Sequence, residues 1–158
     1  MANTQSMCTS FMGELLTATH NFGTAPIRAA TTADTFKGAL YLASATINAS
    51  TTAYSATGEV SGAGYSAGGV TVTNATPPSS TNSSSTAGVA YWTPSASLTY
   101  TAVTLTTAFD AVLIYNSSQS NKAVSVHTFG SQTITAGTFT LTMPSNTTTT
   151  ALLPLATT

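Results

Sequence analysis

Very few side chains in this chain could carry out chemistry. The carboxylates are Glu14, Asp34, Glu59 and Asp110, the histidines are His20 and His127, and the only thiol is Cys8. General acid–base catalysis needs titratable groups placed within reach of the same reacting bond. The nearest approach to such a set is Asp110, His127 and one of the many serines, because Asp110 and His127 fall on paired strands of a predicted hairpin. A Ser–His–Asp set is recognised by geometry. Hydroxyls are so abundant here that the coincidence carries no weight, and no G-x-S-x-G elbow is present. No Cys/His spacing matches a zinc site, and no acidic loop matches an EF-hand. Cys8, beside Met7 and close to Phe11, reads as a small core residue rather than a nucleophile. No catalytic, cofactor-binding or metal-ligating residue is assigned, and the chain reads as a non-enzyme.

Two motifs invite a functional reading and lose it on context. Residues 59–69 read Glu-Val-Ser-Gly-Ala-Gly-Tyr-Ser-Ala-Gly-Gly, with four glycines in eleven positions. A phosphate loop would need G-x-x-x-x-G-K-[ST] followed by a helix, and neither is present. The stretch reads instead as a structured turn region anchored by Tyr65, with left-handed or closely approached backbone. Asn48, Asn74, Asn82, Asn116 and Asn146 each begin an N-x-[ST] triplet. Such triplets arise by chance in a chain rich in Ser and Thr. No basic region and apolar run mark a signal peptide, so the triplets are discounted.

The elements that would position these residues are mostly strands. The organising stretch is 109–129: an apolar run from Ala111 to Tyr115, a polar link, then Val124, Val126 and Thr128 alternating with Ser125, His127 and Phe129. This pattern predicts a hairpin whose first strand is central, with both faces covered. Met7, Phe11 and Leu15, with Cys8, Met12 and Leu16 on the adjoining row, recur at spacings of three and four. They predict an amphipathic helix over 6–20, capped by Ser6 or Thr9, with His20 near its last carbonyls. Further strands are predicted at 36–42, at Val70 and Val72, at 89–93, and through Leu98, Tyr100, Val103 and Leu105 with a bulge near Ala102. Two more follow at 132–135 and 138–143, separated by a turn at Ala136-Gly137. A last short strand holds Leu152, Leu153 and Leu155, with Pro154 marking an edge. Residues 24–32 read as a connection or short edge strand, 43–57 as a surface loop, and 76–88 as a flexible Pro/Ser loop. Trp92 reads as a core or rim anchor. The expectation is one mainly β domain over 1–158: an antiparallel β-sandwich of about eight or nine strands with one N-terminal helix, a closed barrel being the alternative.

Composition narrows the function classes. Only 4% of residues are charged and the net charge is −1, against roughly 25% charged in an ordinary soluble domain. Ser and Thr take their place, at roughly a third of the chain. With so few cations there is no phosphate-binding patch, which argues against nucleic acid. No apolar run approaches the ~20 residues that span a bilayer. A single cysteine excludes an intrachain disulfide framework. Low charge gives copies little mutual repulsion, and burying hydroxyls costs far less than burying ions. This favours a subunit that lies against other protein, with homo-oligomerisation expected.

Several stretches resemble a family of small tailed-bacteriophage virion structural proteins. They are Ser10-Phe-Met-Gly-Glu-Leu-Leu, Lys37-Gly-Ala-Leu-Tyr, the run from Thr52 through Gly69, Leu113-Ile-Tyr-Asn-Ser-Ser-Gln-Ser-Asn-Lys-Ala-Val, and Phe139-Thr-Leu-Thr-Met-Pro. The resemblance runs in order over nearly the whole chain. Met12 replaces an expected lysine, and the Pro-Pro-Ser-Ser loop is a local elaboration. The resemblance implies a virion protein without assigned activity, assembled in the host cytoplasm. Its partners would be the major capsid protein or neck and tail subunits. A head decoration or cement role is the first reading. A tail, neck or fibre role is the alternative, including a host-binding adhesin in which Tyr54, Tyr65, Tyr91 and Trp92 line a glycan site.

Overall fold

The predicted hairpin is the centre of the fold, and it is much longer than its sequence signature. A computed structural model describes residues 3–8, 10–11, 15, 19–22, 33–75, 77–81 and 88–156. Eight strands are present among them: β1 (Ser6–Met7), β2 (Phe36–Leu42), β3 (Val70–Thr71), β4 (Ser79–Ser80), β5 (Val89–Trp92), β6 (Leu98–Asn116), β7 (Lys122–Leu141) and β8 (Leu153–Ala156). They form two antiparallel sheets, one of five strands in the order β1-β7-β6-β2-β3 and one of three in the order β4-β5-β8.

Strand β6 is the middle strand of the larger sheet, as its apolar run predicts. Positions 111–116 are buried without interruption, because β2 and β7 pair with its two edges and other chain covers both faces. Val112 and Ile114 sit opposite His127 and Ser125 on β7, and opposite Leu40 and Gly38 on β2. Each fully buried Leu or Ile here contributes about 1.5–3 kcal/mol. The irregularity expected near Ala102 is present: Ala102 has φ +53°, and the β6–β7 register slips between Tyr100 and Val103.

Ala136-Gly137 is not a turn between strands. Ala136 has φ +47°, yet β7 runs on through it, with Val103 paired to Gly137 and Leu105 to Ile134. The extra residue is absorbed as a bulge, which the same left-handed conformation permits. Pairing with β6 decides between the two outcomes, and the local sequence cannot.

The predicted start of the N-terminal helix is also overturned. Ser6 and Met7 pair with Val126 and Ser125 as strand β1, and the Cys8 amide donates to the Val124 carbonyl at 3.1 Å. Edge pairing to β7 satisfies these backbone groups, so no helix begins at Ser6. The remainder of the predicted 6–20 helix lies largely outside the described residues, and no helix is shown among those described. The 24–32 connection lies outside them too. Of the 76–88 loop, positions 76 and 82–87 are outside, while Ser79 and Ser80 form β4 against Tyr91 and Ala90. Pro154 sits in β8, the edge strand of the smaller sheet, opposite Tyr91.

The core joins residues of both sheets. Phe22 stacks on Phe36 at 4.3 Å between centroids and meets Trp92 edge-on at 4.7 Å. Trp92 is buried, and its indole N–H donates to Asn74 Oδ1 at 2.8 Å. Beyond these rings, the far halves of β6 and β7 run past the end of β2 as an arm that bends back over the larger sheet, bringing Leu98 and Tyr100 to Gly38 and Phe139 to Phe109 and Phe129. Leu98, Tyr100, Val103 and Leu105 are buried on its inner face, and the glycine-rich segment runs beside them.

Candidate functional site

A hub of buried hydrogen bonds forms at Glu59, which the sequence shows only as one of four carboxylates. Glu59 is buried, at 9% exposure. Its Oε1 accepts from the Tyr65 hydroxyl at 2.8 Å and from the Gly68 amide at 2.7 Å, and its Oε2 accepts from the Tyr54 hydroxyl at 2.7 Å. Tyr65 Oη in turn accepts from the Leu40 amide at 3.0 Å. Around this hub, Tyr115 donates to the Gly68 carbonyl, Tyr100 to the Gly38 carbonyl and Tyr41 to the Ser55 carbonyl. Tyr54 stacks on Tyr115 and Tyr65 on Tyr100.

Glycine makes this convergence possible. A Cβ at Gly62 would lie 2.0 Å from the Thr104 carbonyl oxygen, and one at Gly69, where φ is +72°, 1.7 Å from that of Gly38. The segment therefore lies directly on β6 and β2, in the closely approached conformation its glycines imply. Burial raises the pKa of all five phenols. It takes Tyr41 to about 12, with the Glu59 charge adding to the rise. For Tyr54 and Tyr65, desolvation acts first and the hydrogen bond to Glu59 second. Tyr100 and Tyr115 are raised by burial and then by the Glu59 charge. These phenols stay protonated donors at neutral pH. Their protons are committed to the hub and to backbone carbonyls, so the cluster is a clasp and not a proton relay.

The drawn triad does not assemble. Ser125 Oγ and His127 Nε2 lie 2.8 Å apart on one face of β7, but Asp110 Oδ1 accepts from Asn3 Nδ2 at 2.6 Å. Among the described residues no carboxylate is bonded to His127. Ser125 is 1% exposed, out of reach of a substrate. Burial lowers the His127 pKa to about 4, so the ring is neutral at physiological pH. His20 is packed edge-on against Phe11 and bonded to Asn116 at 3.0 Å. Asn116 Nδ2 also donates to Asp34 Oδ2 at 2.7 Å, and that oxygen accepts from the Asn21 amide. This network pins the 19–22 segment to the hairpin turn. Cys8 is fully buried. No group of three or more His, Cys, Asp or Glu that could hold a metal occurs among the described residues.

The triplet asparagines are mostly engaged. Asn116 is fully buried, and Asn74 links Trp92 to the Phe22 carbonyl. Asn48 closes a local turn onto Ser50, and Asn82 lies outside the described residues. The aromatics proposed for a glycan platform do not share a surface. Tyr54 and Tyr65 turn into the Glu59 hub, while Tyr91 and Trp92 border a small apolar cleft with Phe22 and Leu153. No protein-family model matches the chain. No curated protein and no solved structure matches it either.

What the molecule does present is an exterior with very few charges, Asp34, Lys37, Asp110 and Lys122 being partly exposed. Residues 60–109 and 123–158 contain no Asp, Glu, Lys or Arg, and they include β3, β4, β5, β8, nearly all of β7 and the far half of β6. On the arm, Thr99, Thr101, Thr106, Thr107, Thr133 and Thr135 are exposed. No helix among the described residues is long and apolar enough to cross a membrane.

Proposed function

We propose that this chain is a structural subunit of a tailed-bacteriophage virion: a head decoration or cement protein present in many copies, without catalytic activity or cofactor. One observation carries this reading: a well-buried aromatic and aliphatic core sits beneath a hydroxyl surface that is free of charge over two long stretches. Such a surface can be desolvated against neighbouring subunits at low cost and without dependence on salt. The ordered resemblance to small virion proteins supports it. The two sheets are taken to pack as a β-sandwich, joined through Phe22, Phe36 and Trp92. The subunit works mechanically, by burying area across contacts with the major capsid protein and with its own copies. It is assembled in the host cytoplasm and resides in the particle.

The test is to compare particles with and without the protein for rupture on heating, and to locate its density in particle images. Earlier rupture without it, and hundreds of copies on the head, are expected. Unchanged rupture removes the cement role. Six or twelve copies at a neck or tail ring, or multiples of three on a fibre, would transfer the protein to the tail. The inward-turned Tyr54 and Tyr65 speak against the adhesin version.

A further inference from the structure

Strand β7 is covered unequally along its two edges. Its inner edge pairs with β6 along its length. Its outer edge pairs with β1 only at Ser125 and Val126. Beyond that, over residues 130–141, no strand among the described residues pairs with the outer edge. Every second residue there turns its amide and carbonyl outward. The local cover is the Gln132 side chain, whose Nε2 donates to the Gly130 carbonyl at 3.1 Å. A Thr128–Gln5 contact lies just before it. Exposed sheet edges are ordinarily blocked by lysine, proline or shortness. This one has neither residue type and is twelve residues long, interrupted by the Ala136 bulge and by a further register slip against β6 between Gln132 and Ile134.

We propose that this edge is a seam along which a second copy of the chain adds, strand to strand and antiparallel, about a two-fold axis. A two-fold contact requires a patch complementary to itself. Hydroxyls meet that requirement because each is both donor and acceptor. Besides Gly130, Gln132 and Ala136, the exposed residues here are Ser131, Thr133, Thr135, Thr138 and Thr140, so antiparallel pairing sets hydroxyls largely against hydroxyls, a favourable cross-strand match. A charged partner strand would find no counter-charge on this edge, and a net charge of −1 leaves copies free to approach. Pairing would continue the five-stranded sheet through the axis into its twin. The inference deepens the assembly reading by naming one contact it would use.

The experiment is sedimentation of the purified full chain over a wide concentration range, with three variants. Thr133→Lys/Thr135→Lys places like charges across the seam. Thr99→Lys/Thr101→Lys places the same charges on β6, the neighbouring strand, away from the outer edge of β7. Thr133→Cys/Thr138→Cys supplies the only accessible thiols, since Cys8 is buried, and full antiparallel pairing of the two 130–141 edges sets residue 133 opposite residue 138 of the other copy. The seam predicts a wild-type dimer, weakened roughly tenfold or more by the β7 lysines, kept by the β6 lysines, and trapped as a disulfide-linked dimer by the new cysteines. Circular dichroism confirms that each variant is folded. A wild-type monomer at all concentrations overturns the seam, as does a dimer that tolerates the β7 lysines or is broken only by those on β6. Particle incorporation separates the two proposals. A monomer that still enters particles, and loses entry with the β7 lysines, removes self-pairing and leaves the assembly reading, with a different virion protein on the edge. A dimer through β7 that never enters particles keeps the seam and removes the assembly reading.

Discussion

Replacing Glu59 tests whether its clasp holds the glycine-rich segment in place. Glu59→Gln keeps the shape and one acceptor oxygen. That oxygen can still serve Tyr65 and Gly68, while the new amide faces Tyr54, whose hydroxyl can rotate to accept. No donor is orphaned, so the cost is the charge assistance of three short bonds, less the relief of burying a neutral group. A bond to a charged acceptor is worth about 1 kcal/mol more than a neutral one, and the relief offsets part of three such terms. The net expected loss is about 2 kcal/mol. Glu59→Ala leaves three donors unmet at about 1–3 kcal/mol each and opens a cavity, so its loss is at least ~4 kcal/mol. In urea, with a slope of about 2 kcal/mol per molar, the midpoint should fall by about 1 M for Gln and about twice that for Ala. Tyr65→Phe combined with Glu59→Gln should cost less than the sum of the two. A Glu59→Ala midpoint within ~0.5 kcal/mol of wild type, the range of an ordinary surface change, would refute the clasp.

Three further outcomes are expected. Gly69→Ala forces a Cβ into the Gly38 carbonyl at positive φ and should cost more than ~3 kcal/mol or prevent folding, measured by the same urea midpoint. His127 has a folded pKa lowered to about 4 by burial, so its contribution is complete above its unfolded pKa, near 6.5, and is lost as pH falls towards 4. Midpoints at pH 7 and 4.5 should differ less in His127→Gln than in wild type, and imidazole NMR should show a neutral ring at pH 5.5. Tyr41 has a folded pKa raised to about 12, so its contribution is present below pH 10 and is lost as pH rises from 10 to 12. Near-ultraviolet titration should show its phenol, and those of the other four clustered tyrosines, ionising late and together with unfolding.

Much of the larger sheet is legible in the sequence because its signals are local. The unbroken run through Val112, Leu113 and Ile114 marks a strand covered on both sides, and in the smaller sheet Pro154 marks an edge. What fails are positions where a local signal serves two outcomes. Ala136-Gly137 supports a turn or a bulge, and pairing to Val103 chooses the bulge. Met7 fits a helical stripe, yet pairing with Ser125 takes it into a strand. The Glu59 hub leaves a faint trace: a carboxylate isolated in a chain nearly free of charge, with Tyr54 and Tyr65 five and six residues to either side and glycines all around. Nothing local says that Tyr100 and Tyr115 complete it, since they arrive from β6 across the sheet.

The order of the strands has a consequence for synthesis. β6 meets β7 across the five residues 117–121, but it meets β2 across a separation of 67 residues at Leu42–Phe109 and 80 at Phe36–Asn116. Closing the longer loop costs about 2 kcal/mol more in chain entropy, so the hairpin zips first and β2 docks afterwards. While the ribosome is still making residues 43–116, Phe36, Leu40 and Tyr41 wait without their pairing strand. The chain thus passes through a sticky nascent stage, and its yield rests on how quickly the final third of the chain emerges to shelter them.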